Sequence, residues 1–308
     1  MVRREELFYD SRDGESRIHA IKWVPETEPV GILLIVHGMA EHIKRYDRFA
    51  RFLAEKGILV AGNDHLGHGE SANGRYGYFC KNDASLVVVK DVHRLKKLMQ
   101  EEHPGIPIMI LGHSMGSFIT RNYLLRYAKG IDGVILSGTG TKDSATLLMT
   151  IGLIRILSLF QGWKHRSNLV NTLAFGSFNK KIRPRNSVFD WLSTDRKTVE
   201  DYMNDPECGF TFTLNGFDTL SRLIYQLKNT NELKKIPPLL PMLLIAGEED
   251  PTGNYGAGVK KVYQEYLDAG LTNVKMTLFE GMRHEVLNEQ DYQKVYDSIY
   301  QWIQTKVL

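Results

Sequence analysis

Cysteine is scarce: the 308-residue chain holds two, Cys80 and Cys208. Two thiols cannot build a disulfide framework, and no Cys-x-x-Cys pair offers a zinc or redox site. Both read as small buried hydrophobes, and free thiols fit a reducing compartment. No stretch reaches the roughly 18 apolar residues of a membrane span. The apolar run Leu147 to Phe160 is shorter, and Arg155 interrupts it. The start, Met1-Val2-Arg3-Arg4-Glu5-Glu6-Leu7, carries no apolar run after its arginines, so no signal peptide is read there. Acidic residues are missing from Ser144 to Phe189, where seven Lys and Arg occur. That stretch is either a solvated basic face or a surface that meets anionic lipid. No nucleic-acid motif accompanies it, so nucleic acid is not the expected partner.

What is present is ordinary for a soluble globular chain. Apolar residues make up 43% and charged residues 24%, which excludes collagen-like, disordered and coiled-coil chains. The net charge of +3 excludes nothing. The length allows one large domain or two ordinary ones.

Continuous apolar runs recur at Val30–Val36, Gly57–Ala61, Ile106–Leu111 and Gly133–Leu136. Runs of this kind read as strands buried on both faces, as in a parallel sheet. Amphipathic helix patterns lie between them, at Tyr46–Lys56 and Val89–Gln100. The rhythm stops from about residue 139 to 235, a helical and aromatic-rich stretch. It resumes with Met242–Ala246, a helix near Tyr255–Ala269, Val274–Phe279 and a last helix over about Gln290–Val307. Alternating strands and helices argue for an α/β sheet with an insertion of some 95 residues.

Gly112-His113-Ser114-Met115-Gly116 stands between a buried-strand run and a helix pattern, Phe118 to Tyr127. That strand–turn–helix setting is the one a nucleophile elbow requires. A serine hydroxyl needs a base, and the expected chain order is Ser, then Asp or Glu, then His. Only His165 and His284 lie downstream of Ser114. His165 falls in the basic insertion, whereas His284 follows a strand end. The acid is expected after Met242–Ala246, in Gly247-Glu248-Glu249-Asp250. Asp250 is the first candidate and Glu249 the fallback. Two backbone N–H donors should bind the oxyanion. Met115, after the serine, and Met39, in His37-Gly38-Met39-Ala40, are the candidates.

With these segments in view, the chain resembles the monoacylglycerol lipase and lysophospholipase family of serine α/β-hydrolases over nearly its whole length. The pieces that carry the likeness are His37-Gly38-Met39-Ala40-Glu41-His42 with Arg45-Tyr46, Asp64-His65-Leu66-Gly67-His68-Gly69-Glu70-Ser71, Gly112 to Gly116, Gly247 to Asp250 and Gly281 to His284. The resemblance implies an α/β-hydrolase fold, a mostly parallel sheet flanked by helices. It implies a core at 1–138 and 236–308 and a mainly helical cap at 139–235. It implies a triad of Ser114, Asp250 and His284, an oxyanion hole at Met39 and Met115, and headgroup contacts at Glu41 and Arg45, which could equally be a surface ion pair. Met39 departs from the small residue common in that family. Asp64, His65 and His68 look like a zinc set but match the family's structural loop, so no metal and no cofactor is expected.

The expected activity is hydrolysis of single-chain lipid esters through an acyl-enzyme on Ser114. Rivals are a short-chain carboxylesterase, a peptidase-type hydrolase and a non-catalytic ligand-binding protein on the same fold. The expected place is cytoplasmic, with peripheral membrane contact through the cap.

Overall fold

The computed structural model describes residues 1–308. In chain order the elements are β1 (Arg3–Asp10), β2 (Arg17–Val24), β3 (Gly31–Val36), α1 (Asp47–Ala54), β4 (Ile58–Asn63), α2 (Ala84–Glu102), β5 (Ile108–His113), α3 (Met115–Tyr127) and β6 (Gly133–Ser137). Then come α4 (Ser144–Gln161), α5 (Asn168–Phe175), α6 (Arg196–Asn204), α7 (Leu214–Gln226) and α8 (Thr230–Leu233). The chain ends with β7 (Met242–Gly247), α9 (Ala257–Asp268), β8 (Val274–Phe279) and α10 (Tyr292–Lys306).

One eight-stranded sheet runs in the order β1-β2-β4-β3-β5-β6-β7-β8. β1, β2 and β4 pair antiparallel, and every pairing from β4 through β8 is parallel. This is the α/β-hydrolase fold. Strands β3 to β7 are buried at every residue because helices cover both faces. The side chains alternate accordingly. Ile32, Leu34 and Val36 enter the larger core with Val92 and Ile119 of α2 and α3. Leu33 and Ile35 enter the other core with Phe49 of α1 and Trp302 of α10.

The β1–β2 hairpin has no counterpart among the apolar runs of the sequence. Its strands carry Arg, Glu, His and Lys, and those charges are paired with neighbours along the strand, across the hairpin and on adjoining elements. Lys22 reaches Glu5 at 3.2 Å and Glu102 at 2.6 Å, while His19 Nδ1 donates to Asp64 Oδ2 at 2.8 Å.

Between β6 and β7 the chain leaves the sheet and forms α4 to α8. Helices α4, α5, α7 and α8 share the larger core, through Ile154, Val170, Phe217 and Leu233, while α6 packs Tyr202 in a small separate cluster with Leu192 and Cys208. Helix α4 buries only Leu147, Ile151, Ile154 and Ser158. Leu148, Met149, Ile156, Leu159 and Phe160 face outward, with Leu159 82% and Phe160 85% exposed. The helix extends beyond the apolar run to 18 residues, which makes it long and apolar enough to cross a membrane by length and composition alone.

Candidate active site

β5 delivers Ser114 at its C-terminal end, and α3 begins at the next residue. Ser114 sits at φ +53°, ψ −118°, a conformation that a non-glycine residue rarely adopts. Its amide donates to Ser137 O at 2.9 Å, which fixes the turn to β6. The flanking glycines are required by space. A Cβ on Gly116 would overlap the carbonyl oxygen of Val36, and one on Gly112 would overlap Thr120 Oγ1. Without side chains there, β5 and α3 close against β3, and the serine is held at the sheet edge above the helix N-terminus.

β7 and β8 supply the other two candidates from the loops after them. His284 Nδ1 lies 2.9 Å from Asp250 Oδ2, and both residues are buried. Thr252 donates to Asp250 Oδ1 through its amide at 2.8 Å and its hydroxyl at 2.6 Å. Thr252 Oγ1 is also 2.9 Å from His284 Nδ1. Burial alone would raise the Asp250 carboxyl, but His284 and the Thr252 hydrogen bonds hold it below the usual carboxylate range. Burial would likewise lower the imidazole of His284, but the Asp250 carboxylate outweighs it, and the pKa stands above the ordinary value. Glu249, the fallback acid, is an exposed residue that faces Arg283 at 3.9 Å. His165 lies elsewhere, with its carbonyl accepting from Leu214 N at 2.8 Å.

His113 bridges the two halves of the site. Its ring lies 4.7 Å from that of His284, centroid to centroid, and it is the residue before Ser114. Burial, with the charge of His284 beside it, pushes its pKa down to about 3, so this ring is neutral. Gly138 makes room for the pair, since a Cβ there would stand 2.8 Å from His284 Cε1 and 3.4 Å from His113 Cε1. Trp191 closes the far side, 5.2 Å from the His284 ring.

The turn after β3 faces Ser114. A Cβ on Gly38 would lie 3.2 Å from the Ser114 Cβ. Met39 N–H makes no hydrogen bond within the protein. Met115, as the first residue of α3, has no intrahelical acceptor for its own N–H. Two amides are therefore without a partner in the protein, one on the residue after Ser114 and one next to the Gly38 that lies against it.

Glu41 and Arg45 form a buried ion network, and not a surface pair. Arg45 Nη1 donates to Glu41 Oε2 at 2.8 Å, and its two Nη groups grip both oxygens of Glu285 at 2.7 Å. Glu41 Oε1 accepts from Gly38 N at 2.5 Å and Tyr46 Oη at 2.9 Å. The network thus ties the Met39 turn to the residue after His284. Asp64 is occupied by His19 and by the amides of Ile43 and Glu70. His65 and His68 stack with His37 and pack as neutral buried rings.

Sequence reasoning did not single out Glu285, Thr252, His113 or Gly138. Glu285 had a signal in plain sight, an acid directly beside the candidate base. The others are recognisable only once strands are in register.

A family model described as serine aminopeptidase S33 (Hydrolase_4) matches residues 27–291. The chain belongs to this family of α/β-hydrolases. A monoacylglycerol lipase of Mycolicibacterium smegmatis is 28% identical over 295 residues, covering 94% of each chain. Human monoglyceride lipase is 39% identical over 187 residues, 60% of this chain and 54% of that one. Among solved structures, a thermostable carboxyl esterase from Bacillus coagulans, in complex with glycerol, superposes over the whole of both chains with a TM-score of 0.93 and 29% identity. The chain is a serine ester hydrolase.

Proposed function

We propose that the chain hydrolyses long-chain monoacylglycerols through Ser114, His284 and Asp250. The observation that carries this reading is the buried Asp250–His284 pair, one ring away from a serine held at positive φ. Asp250 occupies Nδ1 of His284, which leaves Nε2 for the serine proton. Ser114 Oγ attacks the ester carbonyl carbon as Nε2 takes its proton. The oxyanion accepts from the free amides of Met39 and Met115. The tetrahedral adduct collapses, and His284 returns the proton to the departing glycerol oxygen. Water, activated by the same nitrogen, then hydrolyses the acyl-Ser114 ester.

Residues 139–235 serve as the cap. Its backbone already meets the His284 loop, where Glu285 N donates to Leu192 O at 2.7 Å. Burying an acyl chain under it is worth about 0.8 kcal/mol per methylene, so chain length dominates selection. The exposed apolar face of α4, beside the acid-free basic stretch, suits a membrane interface where such substrates reside. The relatives' names, monoacylglycerol lipase and monoglyceride lipase, favour glycerol as the leaving group.

A second reading, a lysophospholipid, is favoured by one feature. A cavity of about 350 Å³ beside the two catalytic loops is lined by Lys181, Arg183, Arg283, Glu249 and Tyr255. Three cations against one carboxylate suit a phosphate. The deciding experiment is kcat/KM for a long-chain monoacylglycerol and the matching lysophosphatidylcholine, with Ser114→Ala as blank. Preference for the monoacylglycerol is expected. Preference for the lysophospholipid selects the second reading, and turnover of short esters alone overturns both.

A further inference from the structure

We infer that His42, Asp205 and Cys208 form a binding site for one divalent transition-metal ion of the zinc type. His42 belongs to the core, three residues after Met39. Asp205 and Cys208 belong to the loop after α6. Their ligand atoms lie within 4.8 Å of one another. His42 and Cys208 are buried, and Asp205 is half-buried.

An imidazole nitrogen, a carboxylate oxygen and a thiol sulfur are the ligand types zinc selects, at about 2.0–2.3 Å from the metal. Tetrahedral angles at those lengths put ligand atoms roughly 3.3–3.8 Å apart. One edge is shorter here, with His42 Nε2 at 2.8 Å from Asp205 Oδ2. Seating the ion would open that edge by about 0.5 Å and replace the His42–Asp205 hydrogen bond with two metal–ligand bonds. The site would be three protein ligands with a fourth position for water.

The surroundings carry an excess of negative charge, which favours a cation. Glu41 and Glu285 both converge on the single cation Arg45, and Asp205 adds a third carboxylate. Lys44, two residues after His42, is paired with Glu70 at 2.7 Å. The other His and carboxylate cluster, Glu6, His19 and Glu70, offers no sulfur, and both its acids are exposed.

On binding, the Cys208 S–H bond breaks, its proton passes to solvent, and the thiolate sulfur donates its electron pair to the metal. The ion would join the α6 loop to the turn that carries Met39. That junction is already close, since Ala40 O accepts from Gly209 N at 3.0 Å and from Tyr202 Oη at 2.9 Å.

The test uses the full chain without substrate, so its outcome is separate from that of the proposed activity. Zn²⁺ retention is measured by equilibrium dialysis, and Co²⁺ is titrated as a spectroscopic probe. One Zn²⁺ per chain is expected, with a thiolate-to-cobalt charge-transfer band. Cys208→Ser should abolish the band. His42→Gln and Asp205→Asn should each weaken binding at least tenfold, and Cys80→Ser should change nothing. Thermal melts identify any variant that does not fold, and the remaining variants then decide. No retained Zn²⁺ in the native protein, or equal retention in the folded variants, would overturn the inference.

Discussion

Ser114 is a residue whose backbone is held where only a turn between strand and helix would put it. Its replacement by alanine should lower kcat by at least about 10³-fold, because the base then has no hydroxyl to activate. Asp250→Asn should cost about 10⁴-fold, since the amide favours the wrong tautomer of His284. As the proposed base His284 would act only when neutral, and its pKa lies above the ordinary imidazole value of 6.5. The kcat/KM profile should therefore fall on the acid side, with its midpoint above that value. The cause is Asp250 first, with Glu285 and Glu41 adding to it. Glu285→Gln removes one of these charges while keeping the side chain's shape. Its acid limb should move to lower pH, as read from kcat/KM across the acid range with a soluble ester. An unmoved limb would mean that Glu285 only packs. At this scale the sequence was informative where chemistry is ordered along the chain: Ser114, Asp250 and His284 follow the expected order. It could not separate a headgroup contact from an ion network at Glu41 and Arg45. Their partner Glu285 is 240 residues from Arg45, and nothing local connects them.

The elements that carry the site are the ones with the plainest patterns. β3, β5, β6 and β7 are buried on both faces, so each reads as an unbroken apolar run. The first hairpin was illegible for the opposite reason. β1 is an edge strand with a mostly exposed, charged face, and β2 hides Lys22 and His19 by pairing them. Helix α4 shows a third case. Its composition suggests burial or contact with lipid, and only one narrow stripe of it meets the core. The joint between β5 and α3 gives a prediction about the fold. Gly116→Ala drives a methyl group into the β3 backbone, where neither partner is a flexible side chain. Overpacking of this kind costs about 1–3 kcal/mol. Thermal denaturation should show a Tm lower by several degrees, with activity falling further than stability because Ser114 is displaced.

Across the whole molecule, net positive charge and exposed apolar surface concentrate on the helical insertion. The exposed face of α4 and the seven cations between residues 144 and 189 give it two ways to hold a lipid surface. Leu159→Asp with Phe160→Asp should abolish co-sedimentation with anionic vesicles. Hydrolysis of a short soluble ester should stay within about twofold, since both side chains are solvent-exposed and exposed substitutions perturb the fold little. Raising salt from about 0.1 to 1 M shortens the screening length from about 10 to 3 Å. Vesicle binding should weaken with it if the cations contribute. Salt-independent binding would leave the apolar face as the whole of the attachment.

The acyl-enzyme offers the most direct measurement. The protein is mixed with a long-chain monoacylglycerol, quenched in acid within the first turnovers and analysed by peptide mass spectrometry. One acyl group on the peptide containing Ser114 is predicted, absent from the Ser114→Ala variant. An adduct on another residue, or full turnover by Ser114→Ala, would contradict the account.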